Sequence, residues 1–348
     1  ILLLDLYLKA EQTDEALLLV KRLVKKAPLD KEFAIRKAEI LIVNRDFVDA
    51  KVQLSKLYSL WLDNPEMLFR LSSMQQSVDD YEGANNSLLK ALTYLPTNLT
   101  LNLEYARLNL QLNQIAQNVV NEMEKTYGKN PNILLLKGDI SLSKQDFITA
   151  HTYYTEALTL EDEYQLPLIR LYELARRGVK EQDFLVLVQR LVAKQPDNNW
   201  RRKLLADHLM NQNKWQEAKL HYSKLIEKDR FINDYSILNN LANIYMSEDL
   251  SIALSHAEKA LENAKTMPSV LDTHGWILVQ MERYKEGLVS LRQAYAIKSN
   301  NPAIRYHIAY TLNKLGRVSE AKVELQQALS SNLIFNEREA AVKLLSSI

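Results

Sequence analysis

The chain of 348 residues contains no cysteine and has only seven glycines and eight prolines. Without cysteine it can form no disulfide, no thiolate metal site and no cysteine nucleophile. Because glycine and proline both disfavour helix interiors, their scarcity favours long stretches of helix. No apolar run approaches the roughly 18 residues that a membrane-spanning helix needs. The opening run ILLLDLYL is broken by Asp5 and followed by Lys9, so we interpret it as a buried helix.

The charges nearly cancel, since 44 basic and 43 acidic residues give a net charge of +1. Nucleic-acid-binding proteins usually carry a basic excess, and disordered chains combine high net charge with few apolar residues. Here 47% of the residues are apolar and 25% are charged, as in ordinary globular proteins. We therefore expect a folded chain without a nucleic-acid partner.

Small residues recur along most of the chain at intervals of 34 residues or twice that. This period is typical of arrays of helix–turn–helix units, in which each unit buries its apolar face only by stacking on its neighbours. It predicts an all-α fold with about ten repeats, of which the first is partial. The recurring residues are Ala16, Ala50, Ala84, Ala150, Ala218, Ala253, Gly287 and Ala321.

The prolines lie at or close to the boundaries of these repeats. Proline stops a preceding helix and is tolerated in the first turn of the next one. We assign residues 1–335 to the repeats and residues 336–348 to a terminal capping helix, with Asn336 as its N-cap. The predicted repeat starts lie near Lys31, Pro65, Leu99, Pro131, Gln165, Asn199, Tyr235, Pro268 and Pro302.

Two repeats depart from the pattern. Residues 99–130 form a unit of 32 residues that places Asn118 where a small residue is expected, and residues 165–198 place Tyr172 and Phe184 at such positions. Because larger side chains between two helices cost about 1–3 kcal/mol unless the helices separate, we predict wider helix spacing in both repeats.

Residues 269–302, SVLDTHGWILVQMERYKEGLVSLRQAYAIKSNNP, and the segment AIRYHIAYTLNKLGRVSEAKVELQQAL that follows resemble the tetratricopeptide repeat (TPR) family. The resemblance extends over essentially the whole chain and implies a right-handed superhelical solenoid that binds protein partners without catalysis. The last 80 or so residues also resemble the TPR lipoproteins of bacterial exosortase (PEP-CTERM) systems. That resemblance implies a lipid-anchored envelope scaffold linked to exopolysaccharide export and protein sorting, and a cytosolic assembly scaffold is the alternative.

Residue patterns that would indicate an enzyme or a metal site are missing from the sequence. None of the six histidines lies four residues from another, and no glycine-rich phosphate loop occurs. His274 and His307 fall on neighbouring predicted helices and can approach each other, but we see no third ligand and interpret them as packing residues. We expect no catalytic activity, no cofactor and no metal.

The TPR resemblance implies that the first helix of each repeat, helix A, lines a concave face with its positions five and nine. Asparagine can pair with an extended peptide backbone, and aromatic residues are enriched at binding hot spots. We therefore predict a groove for a peptide or a partner helix, with polysaccharide stacking on the aromatic rings as the alternative. Because Asp207 follows Lys203 by one turn, a carboxylate ligand is disfavoured there. The candidate residues are Lys203, Asn239, Asn243, Trp276, Tyr306 and Tyr310, with Phe69 and Arg107 nearer the N-terminus.

Overall fold

The computed structural model describes residues 2–28, 30–112, 117–228 and 230–348. Within these ranges the chain forms 21 α-helices and no β-strand. The helices are α1 (Leu2–Lys9), α2 (Thr13–Lys26), α3 (Lys31–Val43), α4 (Phe47–Leu60), α5 (Pro65–Ser77), α6 (Tyr81–Tyr94), α7 (Leu99–Gln111), α8 (Gln117–Tyr127), α9 (Pro131–Ser143), α10 (Phe147–Leu160), α11 (Gln165–Arg176), α12 (Glu181–Lys194), α13 (Asn199–Asn211), α14 (Trp215–Ile226), α15 (Tyr235–Tyr245), α16 (Leu250–Asn263), α17 (Pro268–Gln280), α18 (Tyr284–Ile297), α19 (Pro302–Lys314), α20 (Val318–Leu329) and α21 (Arg338–Ser347).

The helices divide into two compact units, residues 1–180 with α1–α11 and residues 181–348 with α12–α21. Inside each unit every helix packs against the next one along the chain. The odd-numbered helices from α3 to α19 begin at the residues where the sequence period places the repeat starts. The predicted all-α class, built from consecutive packed helix pairs, is confirmed.

Aspartate or asparagine side chains cap the start of ten of the 21 described helices. The Asn64 side chain, for example, accepts a hydrogen bond from the Met67 amide at 3.0 Å, and Pro65 occupies the first helical position. Such a cap satisfies a backbone donor that has no partner inside the helix, so it fixes where the helix starts. The capping side chains are Asp30, Asn64, Asp80, Asn98, Asn130, Asp146, Asn198, Asp234, Asp249 and Asn301.

The turn between the two helices of a repeat contains a residue in the left-handed backbone region. Arg45, Gln145 and Glu282 adopt it with φ of 58°, 61° and 63°, and Gly316 occupies the equivalent position in the last repeat. The amide of the following residue closes the turn onto the preceding helix, as Asp146 does on the Ser141 carbonyl at 2.9 Å. This backbone conformation favours glycine. Arg45, Gln145 and Glu282 therefore adopt it with some strain, whereas Gly316 does not.

Small residues lie where the two helices of a repeat cross. In the pair α17–α18 a Cβ atom on Gly287 would lie 2.7 Å from the Gly275 carbonyl oxygen, and one on Gly275 would lie 2.9 Å from the Gly287 oxygen. In the pair α9–α10 a Cβ on Gly138 would lie 2.3 Å from the ring of the fully buried Tyr154. These backbones are therefore close enough to exclude even a methyl group.

The interpretation of Asn118 as a residue between packed helices was wrong. Val120 is fully buried, whereas Asn118 is exposed. Residues of α6, α7 and α8 line a cavity of about 380 Å³, and the wider helix spacing predicted for this repeat stays a prediction.

Tyr172 and Phe184, the other pair predicted to widen a repeat, lie in different units, and that prediction remains a prediction.

The last helix starts later than the sequence indicates. α21 begins at Arg338, its N-cap residue is Glu337, and Asn336 lies in the preceding turn, so the prediction of Asn336 as the N-cap was wrong. The buried Phe335 packs among α19–α21, and its carbonyl accepts the Arg338 amide at 3.4 Å. Because Phe335 is held in the core, the helix starts after it, at Arg338, and packs on α20 and α19.

Candidate functional site

The unit of residues 181–348 contains a cavity of about 800 Å³ along its helices A. Its wall includes two asparagines of α15, five residues of α17 and three residues of α19. Three of the predicted binding residues, Asn239, Asn243 and Trp276, lie together on this wall. Further residues of the wall are Trp215, Met267, Ser269, Asp272, Thr273, Lys298, His307 and Glu337.

The two asparagines of α15 differ in their hydrogen bonding. Asn243 Nδ2 donates to the Asn239 carbonyl at 3.0 Å and to Thr273 Oγ1 at 3.4 Å. Asn239 Oδ1, in contrast, is buried and has no hydrogen-bond partner. An unpaired buried acceptor costs about 1–3 kcal/mol, so Asn239 rather than Asn243 has unused capacity for a ligand.

A second group joins α17 to α19. His307 Nδ1 donates to Asp272 Oδ1 at 2.7 Å, and its ring stacks on Trp276 with the centroids 4.1 Å apart and an interplanar angle of 17°. His307 is 6% exposed, and its Nε2 is buried without a partner. The carboxylate and the indole therefore fix both the tautomer and the orientation of the imidazole.

Tyr306 and Tyr310 pack against Trp276 instead of lining the cavity. Their ring centroids lie 6.1 Å and 5.2 Å from that of Trp276 and 6.3 Å from each other. Tyr306 is buried, and this burial raises the pKa of its hydroxyl above the usual value. The two tyrosines therefore hold the indole of Trp276 in place by packing against it.

Lys203 is not part of the cavity wall. Its Nζ lies 3.1 Å from Asp207 Oδ2, and the Tyr222 hydroxyl donates to the other oxygen of the same carboxylate at 2.7 Å. An equivalent contact joins the Tyr154 hydroxyl to Asp139 at 2.8 Å in the other unit. These aspartates at position nine bind side chains of their own unit.

Phe69 and Arg107 belong to the unit of residues 1–180. Phe69 is half-buried and packs against the core around Leu68 and Leu88, while Arg107 pairs with Glu104 at 2.6 Å. Neither lies on the wall of the cavity described above.

His274 and His307 have separate partners. His274 Nδ1 lies 3.0 Å from Ser290 Oγ, and burial lowers the pKa of His274 below its ordinary value of about 6.5. Across the part of the chain that the structure describes, no group of three histidine, aspartate or glutamate side chains could hold a metal ion.

The sequence analysis did not select Asp272 and His307 for the site. The two residues are 35 apart, one repeat plus one residue, and lie on successive helices A. A search for polar pairs at that separation would have identified them, whereas the search along positions five and nine could not, because His307 stands at position six of its repeat.

Comparison with known proteins gives family matches at both ends of the chain. A family model described as Tetratricopeptide repeat matches residues 278–333, and a second with the same description matches residues 1–54. No curated protein matches the chain. In the part that the structure describes, every helix is too short or too polar to cross a membrane.

Solved structures give a likeness over nearly the whole chain. The chain is similar to the crystal structure of the APC/C hetero-tetramer Cut9–Hcn1, with a TM-score of 0.52 and 12% identity over 99% of this chain and 94% of that one. Further matches are yeast Tom70, with a TM-score of 0.45 and 12% identity over 99% and 87%, and an IFIT1 monomeric mutant with Gppp-AAAA, with 0.44 and 16% over 78% and 70%. The first likeness shows the fold, and the family matches support tetratricopeptide repeats as its building unit, a type of scaffold that generally serves protein–protein interaction without catalysis.

Proposed function

We propose that the unit of residues 181–348 binds an extended segment of a partner protein in the cavity of about 800 Å³. The observation that carries the proposal is the combination, on one wall, of the unpaired Asn239 Oδ1 with the indole of Trp276. An extended segment has backbone donors to pair with such an acceptor, and its apolar side chains can pack on a rigid aromatic ring.

The arrangement of the aromatic rings favours a peptide over a polysaccharide. Stacking along a sugar chain requires rings that follow one another along a groove. Here Trp276, Tyr306 and Tyr310 pack on one another, and of these three rings Trp276 alone lies on the cavity wall, together with Trp215. The three predicted rings therefore form one packed cluster and not a series along the groove, which suits a side chain of a peptide better than successive sugar units.

A steric block at the cavity tests this proposal. Ser269 is an exposed cavity residue at the second position of α17, so Ser269→Trp fills the cavity without removing a packing contact. Ser251 is equally exposed at the second position of α16 and is not among the cavity residues, so Ser251→Trp is the matched control. Peptides selected from a random library on the full chain should lose about tenfold or more in affinity for Ser269→Trp, about 1.4 kcal/mol, and bind Ser251→Trp normally.

Fluorescence anisotropy of labelled peptides measures both affinities. Equal binding to the Ser269→Trp and Ser251→Trp variants would show that the cavity is not the binding site. Isothermal titration with an alginate-like polymer tests polysaccharide binding, the second candidate. If the Ser269→Trp substitution abolishes the heat of binding of the polymer and no peptide depends on the cavity, sugar binding would be favoured.

We also propose that the protein works in a bacterial cell-envelope assembly linked to exopolysaccharide export and protein sorting. The support is the resemblance of the C-terminal repeats, DTHGWILVQ and NPAIRYHIAYTLNKLGR, to lipoproteins of exosortase systems. Fractionation of cells that produce the protein from its own gene tests the setting. Recovery with the membrane fraction, with labelling by a lipid precursor, is expected, whereas recovery with the soluble cytosolic fraction would favour the cytosolic scaffold.

A further inference from the structure

Two unpaired buried acceptors lie on the wall of the same cavity, and their polarity carries information about the ligand. The first is Asn239 Oδ1, which has no donor in the structure. An amide oxygen only accepts hydrogen bonds. A ligand that satisfies it must therefore bring a donor.

The second is Nε2 of His307. Nδ1 donates a hydrogen bond to the Asp272 carboxylate at 2.7 Å, so in the neutral ring the hydrogen is on Nδ1 and Nε2 is an acceptor. The side chain is more than nine-tenths buried, and Nε2 has no partner. This atom likewise requires a donor from the ligand.

The charges around the cavity have the sign that suits a cationic donor. Asp272 and Glu337 are both on the wall, and the basic residue among the wall residues, Lys298, is exposed at the end of α18. The face of Trp276 adds attraction for a cation, worth about 0.5–2 kcal/mol in proteins. Electrostatics and hydrogen bonding therefore point to the same kind of ligand group.

We propose that this cavity selects partner segments that carry lysine or arginine side chains, whose donors reach Asn239 Oδ1 and His307 Nε2. The inference rests on the proposed function, since it names the side chain that the peptide site recognises. Both acceptors are shielded from solvent, so binding includes a small side-chain movement at the wall, which is common when interfaces form.

Small probes test the proposal on the full chain without a known partner. We would titrate n-butylguanidinium and n-butylammonium, which have charge and donors, against tetramethylammonium, which has charge without donors, and valerate, which is an anion. Long-range ¹H–¹⁵N spectra of the labelled histidines follow His307 Nε2, assigned through a His307→Gln variant. A saturable shift of Nε2 is expected with the two donor cations and not with the other two probes.

Variants at Asn239 give a second, independent readout. Asn239→Leu removes the acceptor and should weaken butylguanidinium binding about fivefold, about 1 kcal/mol, while leaving the free protein at least as stable, because the variant no longer buries an unpaired acceptor. Asn239→Asp should strengthen the same binding. Asn263 is exposed at the end of α16 and is not among the cavity residues, so Asn263→Leu and Asn263→Asp are the matched controls and should change neither affinity.

Each possible result decides the question. Binding of tetramethylammonium or valerate as tight as that of butylguanidinium, no saturable shift with either donor cation, or unchanged affinity in Asn239→Leu would overturn the proposal. Peptides that depend on the cavity but contain no excess of lysine or arginine would refute this selectivity and leave the proposed function intact. Probe binding without any cavity-dependent peptide would support the selectivity for a cationic donor and refute the proposed peptide binding.

Discussion

The close approach of α17 and α18 predicts that a single methyl group at Gly287 destabilises the array. A Cβ atom there would lie 2.7 Å from the Gly275 carbonyl oxygen, 2.7 Å from Val279 Cγ2 and 3.2 Å from the Val279 nitrogen. Two of these three neighbours are backbone atoms of a helix, which cannot rotate away as a side-chain end can. The two helices must therefore separate by several tenths of an ångström.

Two opposing contributions set the size of the effect. Replacing glycine by alanine inside a helix gains about 1 kcal/mol of helix propensity, whereas overpacking a tight contact costs about 1–3 kcal/mol. Because the obstruction is mostly backbone, we expect the cost to lie in the upper part of that range. The net loss in the free energy of unfolding is about 1–2 kcal/mol, a fall in Tm of about 3–8 °C for a unit of this size.

Thermal unfolding of the full chain, followed by far-ultraviolet circular dichroism, measures this loss. Gly275→Ala is the reciprocal variant, since its Cβ would lie 2.9 Å from the Gly287 oxygen, and it should destabilise similarly. Lys285 is exposed on α18 two residues before Gly287, and Lys285→Ala should change stability by less than about 0.5 kcal/mol. An unchanged or higher Tm for both glycine variants would show that the array does not depend on direct backbone contact.

Three further outcomes follow from other contacts. Gln145→Gly should raise stability by about 0.5–1 kcal/mol in chemical denaturation, because Gln145 holds a left-handed φ of 61° that glycine adopts without strain. Tyr154→Phe should lower it by about 1–2 kcal/mol, since it removes the 2.8 Å hydrogen bond to the carboxylate of Asp139. Burial lowers the pKa of His208 and His274 below that of the unfolded chain, so protonation favours unfolding. The free energy of unfolding should therefore fall as pH drops below about 6.5, and less so in His274→Gln.

The architecture could be predicted from the sequence because one period controls most of it. Each repeat needs a small residue where its helices cross, and the proline or capping residue at each boundary fixes a helix start. The same counting failed at Asn118, which is exposed, whereas Val120 two residues later is buried. In a unit of 32 residues the period of 34 no longer fixes which residue lies between the helices, because the residue count alone does not show where the unit is shorter.

The site was harder to predict because its chemistry depends on contacts between repeats. Positions five and nine indicated Asn239 and Trp276, which the structure places on one cavity wall. They also indicated Lys203, whose charge is used by Asp207 four residues later. Which polar side chain is left without a partner is a property of the packed neighbours, and no pattern within one repeat contains that information.

The unpaired groups of this cavity are both acceptors, and this determines which ligands the cavity prefers. A scaffold whose groove presented free donors would attract carboxylates, whereas Asn239 and His307 both present acceptors. The Asp272 carboxylate is responsible for the second of these, because it accepts the hydrogen bond from Nδ1–H and so keeps the hydrogen of the neutral ring on Nδ1, which leaves Nε2 as an acceptor. Asp272→Asn would allow the imidazole to change tautomer and would remove a negative charge from the cavity wall, so this one substitution should shift preference away from cations. This coupling ties ligand choice to the hydrogen bond that joins α17 to α19.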